Sequence, residues 1–234
     1  MEGSHGVIVA ADLSNNPEDY EGLVEMVEQA EENTRERVSE VLGDSGFSSY
    51  ENLEYFEGRQ IMGYIPDQKM ESLRKGTDRH PEFDKSRFKY DEMENRYLCP
   101  MGRFLSYKGL LKRKGKPDIR VCQGSDCPGC QRKGECTKAQ YRSVSQDPRE
   151  YLMRGMRARL ATQEGKKKYG KRKRIVEPVF GDMKYNRNMR GVLLRGRIKA
   201  KGEFLIMCIA HNLKKIANYI RGMGNNPRLQ LQPV

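Results

Sequence analysis

Two carboxylates occupy positions from which a protein chain can do chemistry. Asp44 follows the short apolar run Val38 to Leu42 and precedes a Ser-Gly-Phe-Ser-Ser turn, so its side chain is expected to project beyond the end of a strand. Glu177 opens an expected helix within KRKRIVEPVFGDMK, the most basic neighbourhood of the chain. Either acid alone reads as an ordinary cap or surface group. Together, among so many cations, they suit phosphoryl transfer on a nucleic acid, in which carboxylates hold two divalent ions roughly 3.5–4 Å apart and cations hold the phosphate backbone. On that reading Asp44 and Glu177 are expected to converge within about 8 Å. Lys184 comes seven residues after Glu177, about two helical turns, and shares its face if the helix is continuous.

A second group is made of thiols. Cys122, Cys127, Cys130 and Cys136 fall within fifteen residues as Cys-x4-Cys-x2-Cys-x5-Cys, with Pro128-Gly129 at the central turn. Four thiolates on short loops suit tetrahedral zinc; free or redox-active thiols are the alternative, and Cys99, followed by Pro100, is a candidate to replace one ligand. Cys208 reads as a small core residue of the last helix. His211-Asn212 reads as a packing or helix-surface pair, because no serine or cysteine nucleophile is placed to work with it. His5 and His80 carry no specific signal.

The elements that must position these groups follow from periodicity. Residues 6–13 (GVIVAADL) form a short apolar run expected to be a buried strand. Pro17 suits a helix's first turn, and Tyr20, Leu23, Val24, Val27 and Ala30 recur at helical spacing after it. A second strand is expected at Val38 to Leu42, a helix capped by Ser48 with Glu51 after it, and a third strand over residues 60–66. This strand, helix, strand, helix, strand order is an α/β signature. Residues 69–150 break it, being rich in charge, turns and short alternating pieces, and they hold five of the six cysteines. Helical character returns near Arg149 to Leu160, a loop is expected over 165–174, and a last strong helix over Glu203 to Tyr219.

Charge divides the chain sharply. Residues 1–68 carry a net −13 and residues 69–234 a net +25, while residues 153–201 alone hold 17 Lys/Arg against 3 Asp/Glu. A basic stretch of that density attracts polyanions, of which DNA or RNA backbone is the commonest for such a protein. No apolar run is long enough to span a membrane and no basic-then-apolar leader opens the chain, so a cytoplasmic protein without a membrane partner is expected.

Four segments, VIVAADLSNNPEDY, EVLGDSGFSSYENLEYFEGRQIMGYIPDQ, YGKRKRIVEPVFGDMK and CIAHNLKKI, occur in an order that resembles the catalytic half of DDE-type insertion-sequence transposases. The resemblance implies an α/β fold of ribonuclease-H-like type, a mixed sheet with flanking helices, interrupted by a cysteine-containing, strand- and loop-rich insertion. Residues 1–68 would open the core, 69–150 form the insertion, 151–222 complete the core through a basic linker and C-terminal helices, and 223–234 form a tail. It also implies DNA cleavage and strand transfer with Mg2+ or Mn2+, transposon ends and target DNA as partners, and a homodimer as a further expected assembly. Asp44 matches the family's second catalytic aspartate and Glu177 its glutamate; Tyr169, Arg172, Glu177 and Lys184 resemble its tyrosine, arginine, glutamate and lysine signature, with one extra residue between Arg172 and Glu177. The first aspartate falls by position on Glu2, with Asp12 as an alternative in another register, and the chain reads as the C-terminal portion of a truncated copy. The rival reading is a non-catalytic, zinc-stabilised nucleic-acid-binding protein.

Overall fold

The computed structural model describes residues 5–14, 19–76, 81–91, 93–189 and 191–224. In chain order they form α1 (Leu23–Thr34), β1 (Glu40–Leu42), α2 (Tyr50–Arg59), β2 (Met62–Tyr64), α3 (Gln68–Lys75), β3 (Lys89–Asp91), β4 (Arg96–Leu98), β5 (Phe104–Arg113), β6 (Lys116–Gly124), α4 (Lys133–Cys136), β7 (Ser143–Gln146), α5 (Glu150–Ala161), α6 (Gln163–Ile175), α7 (Glu177–Gly181) and α8 (Arg197–Gly224). The chain is a mixed α/β protein that divides into two compact units. One comprises Met1–Pro66 with Ala158–Val234, the other Asp67–Arg157.

In the first unit β1 and β2 pair in parallel, Val41 opposite Gly63, and α2 makes the crossover between them. Ser49 caps α2 by accepting the Asn52 N–H at 3.1 Å, one residue after the expected cap. Leu53 and Phe56 of α2 are buried, as are Ile61, Tyr64 and Ile65 around β2. Gly43 passes close to the core where the chain leaves β1: a Cβ there would stand 3.1 Å from the Ile65 side chain, which would have to give by a few tenths of an ångström.

Residues 6–13 do not join this sheet. Their backbone groups are taken instead by side-chain amides: Asn212 accepts from Ile8 N–H at 2.9 Å and donates to Ile8 C=O at 2.8 Å, Gln29 accepts from Ala11 N–H at 3.1 Å, and Asn33 donates to Val9 C=O at 2.8 Å. The segment is therefore an extended strap between α1 and α8. Its apolar side chains still find a core, as Ile8 and Ala11 pack against Val179, Met183 and Cys208.

The expected loop at 165–174 is also revised, because it is helix α6. Thr162 caps it by accepting the Gly165 N–H at 2.9 Å. Gly165 allows the tight entry from α5, since a Cβ there would stand 2.0 Å from the Arg159 carbonyl oxygen. Lysine and arginine are good helix formers, and their long stems can cover apolar surface while the charged ends reach solvent. The last helix is longer than expected at 28 residues. Along it Ile206, Ile209, Leu213, Ile216 and Ile220 form an exposed apolar stripe. No helix among the described residues is long and apolar enough to cross a membrane.

The second unit is built on a five-stranded antiparallel sheet in the order β3-β4-β5-β6-β7. Phe88, Tyr97, Leu105, Cys122 and Val144 form its core, with Cys99 and Cys136 packed at the margin. Asp147, beyond β7, is buried. Arg149 donates to it at 3.0 Å and Arg113 at 2.6 Å.

Candidate functional site

Asp44 ends up at the tip of β1, as the strand's length and the following turn require. One of its oxygens accepts the Gly46 N–H at 3.0 Å and so caps the Ser45–Phe47 turn. The other faces Arg172 on α6 at 3.8 Å. The Arg172 guanidinium also lies 5.7 Å from the centre of the Tyr169 ring, one turn earlier, and its Nε is buried with no hydrogen-bond partner among the described residues. Helix α6 lies on β1 and β2. Lys168 pairs with Glu40 of β1 and sits over the Tyr64 ring of β2 at 5.3 Å. The hydrogen bond to Glu40 pushes the Lys168 ammonium above the usual lysine range. The face turned away from the sheet is cationic, with Lys166, Lys167, Lys171, Lys173 and Arg174 exposed.

Glu177 opens α7 with Pro178 in the first turn, and its side chain is exposed. It lies five residues beyond Arg172, about 140° further round a helical path, so it is offset from the face that meets Asp44. After α7 the chain winds as a π-helix over Asp182–Asn186, with Arg187 N–H bonded to Asp182 C=O at 3.1 Å. That wider winding changes the register on which Lys184 and Glu177 would share a face; Lys184 is exposed. Thus Arg172 reaches both Asp44 and Tyr169, while Glu177 and Lys184 are exposed on the following segment. Glu2 lies outside the described residues. Asp12 is tied to Lys201 of α8 at 2.8 Å, which holds its carboxyl below the usual range.

Asp182 was not distinguishable in the sequence from any other surface acid, yet it joins the α7 segment to α8. Asn186 donates to it at 2.9 Å, Lys214 at 2.8 Å and Arg187 at 3.0 Å, and in that order these bonds pull its carboxyl far down. Beside it runs a groove of about 440 Å3 between α7 and α8 whose rim carries Arg174, Lys214 and Lys215. His211 is buried against this groove with Nε2 3.0 Å from Gly6 C=O, which makes it a packing residue. The only local signal for Asp182 is its spacing from Asn186, one turn later on the same helical face.

In the second unit Cys99, Cys127, Cys130 and Cys136 line one small cavity under the edge of the sheet. Burial pushes the Cys136 thiol up; Arg142 draws it down, and the nearby Cys127, Cys99 and Cys130 raise it further. Cys122 stands apart on the inner face of β6, fully buried among Phe88, Tyr97, Leu105 and Val144. None of the six cysteines is in a disulfide.

A family model described as "Transposase DDE domain" matches residues 98–217. The match covers Tyr169, Arg172, Glu177, Lys184 and the cysteines, and lies beyond Asp44. No curated protein and no solved structure gives a match to the chain.

Proposed function

The chain belongs to the DDE transposase domain family, and on that premise we propose that it engages duplex DNA, both transposon ends and target, through the exposed cations of α6. The observation that carries this reading is the row of exposed cations on the face of α6 turned away from the sheet, Lys166, Lys167, Lys171, Lys173 and Arg174. Cations spaced along one helix face would hold successive phosphates of a duplex. Arg172 lies on the opposite face of the helix, held 3.8 Å from Asp44 with its Nε buried.

The finer proposal is strand cleavage and transfer in a ribonuclease-H-like core, with Asp44, Glu177 and Glu2 as the carboxylates and Mg2+ or Mn2+ as the ions. DDE transposases use divalent metal in general. In this chain the described residues do not fit a loaded site: Asp44 gives its oxygens to Gly46 and Arg172, and no three potential ligands are gathered among the described residues. No chemical step is therefore derived through an ion.

The Asp44–Arg172 pair favours one rival, a nucleic-acid-binding protein of the same family that does not cut. Nicking of supercoiled plasmid in Mg2+ and in Mn2+ separates the two. The cleavage reading predicts nicking by the wild-type chain that disappears in Asp44→Asn and Glu177→Gln while DNA binding persists. Binding without nicking in the wild type establishes the rival instead.

A further inference from the structure

We infer that Cys99, Cys127, Cys130 and Cys136 form a four-thiolate zinc site at the margin of the five-stranded sheet, with Cys122 outside the ligand set. This assignment does not depend on the catalytic reading, since it concerns residues of the other unit.

Two backbone turns present three of the four thiols. Cys99-Pro100-Met101-Gly102 and Cys127-Pro128-Gly129-Cys130 are two cysteine-proline turns. In the first, Gly102 N–H bonds to Cys99 C=O at 2.9 Å with Gly102 at φ +73°, and the following Arg103 N–H points at Cys99 Sγ at 3.3 Å. In the second, Cys130 N–H bonds to Cys127 C=O at 3.1 Å, and Arg142 N–H points at Cys127 Sγ at 3.3 Å. Backbone N–H groups aimed at sulfur are the outer partners a metal thiolate needs, because they orient it and spread its charge.

Side chains and a glycine hold the two turns together. The Arg103 side chain donates to the Asp126 and Gly129 carbonyls and so joins the first turn to the second. Gly124 leaves room for Cys127, since a Cβ there would stand 2.8 Å from its sulfur. The Arg142 side chain reaches Cys136 C=O at 3.4 Å, which brings in the fourth thiol.

Size and charge then select the occupant. The cavity the four thiols line holds about 30 Å3, room for one small ion or a water and too little for an organic ligand. Zinc with four thiolates carries two net negative charges, and the lining supplies Arg103, Lys133 and Arg142 against the single acid Asp126. The four thiols line the cavity, but as the side chains stand no three potential ligands among the described residues are close enough together to hold an ion; binding would draw the sulfurs to about 2.3 Å from the metal. Cys122 has no such access, because its side chain points into the apolar core with no exposed surface. Residues 125–142 contain few apolar side chains, so the ion supplies the cross-link that a core would otherwise provide.

The test uses the full chain, purified under reducing conditions. Metal analysis is expected to find one zinc per chain, and cobalt exchanged for it to give the visible spectrum of a tetrahedral thiolate site. Cys122→Ala keeps both; Cys99→Ser weakens the thiolate-to-cobalt absorption. Alkylation of the wild-type protein with mass mapping needs no variant. Cys99, Cys127, Cys130 and Cys136 are protected until a chelator is added, after which all four label. Freshly purified protein without zinc, a site lost in Cys122→Ala but kept in Cys99→Ser, or thiols whose labelling ignores the chelator would each overturn the assignment.

Discussion

Asp44 divides its carboxylate between a backbone N–H of its own turn and a guanidinium from α6. Its place at the end of β1 was legible in the sequence, because an apolar run followed by a turn of small polar residues leaves a carboxylate few other positions. Its partner was not legible, since only the fold brings residues 44 and 172 together. The cysteines show the same limit. Proximity in sequence favoured Cys122, but strand alternation turns that side chain into the core, and Cys99 arrives from β4 to stand beside the others. Asp147 belongs to this scale too. Burial pushes its carboxyl up, but the bonds from Arg149 and Arg113 outweigh that and hold it at about 2. A carboxyl lowered on folding stabilises the folded state fully above its unfolded value of 3.8 and loses that contribution as pH falls towards 2. The loss is on the order of 2 kcal/mol. Urea unfolding at pH 5, 4 and 3 should show this decline, and Asp147→Asn should be less stable at pH 5 with a flatter profile below it.

Helices α1 and α2 and strands β1 and β2 were legible because they have apolar residues at their own period and few competing signals. The strap at residues 6–13 has the composition of a strand, but composition does not say whether the backbone partner is another strand or a row of amides on neighbouring helices. Helix α6 was hidden for the opposite reason. Its buried face is made of Lys168 and Arg172 stems over β1 and β2, so no apolar period marks it. The strap gives a direct prediction. Asn212→Ala leaves both Ile8 backbone groups without their partner, at a cost of about 1–3 kcal/mol for the buried share. Amide hydrogen exchange at residues 6–13 should then quicken while exchange in β5 and β6 stays as in the wild type; unchanged protection of the strap would mean that Asn212 does not hold it.

At the scale of the whole molecule, the charge division was the most transferable signal in the sequence. It pointed to a polyanion before any element was assigned, and the cations fall on the exposed face of α6 in the unit that also holds Asp44. The match to the transposase family over residues 98–217 spans α6 and its cluster, which makes duplex DNA the natural polyanion. Phosphate contacts of this kind position a duplex without reading its bases, so binding should be steeply salt-dependent and weakly sequence-specific. The most direct test of that account is the affinity for a labelled duplex between about 50 and 200 mM salt, measured for the wild type and for the triple variant Lys167→Ala, Lys171→Ala, Arg174→Ala. The account predicts a wild-type affinity that falls steeply with salt, and a variant that binds more weakly with a slope shallower by about 1 for each phosphate its missing cations no longer neutralise. A wild-type affinity that does not change with salt, or a variant that binds as the wild type does, would contradict it.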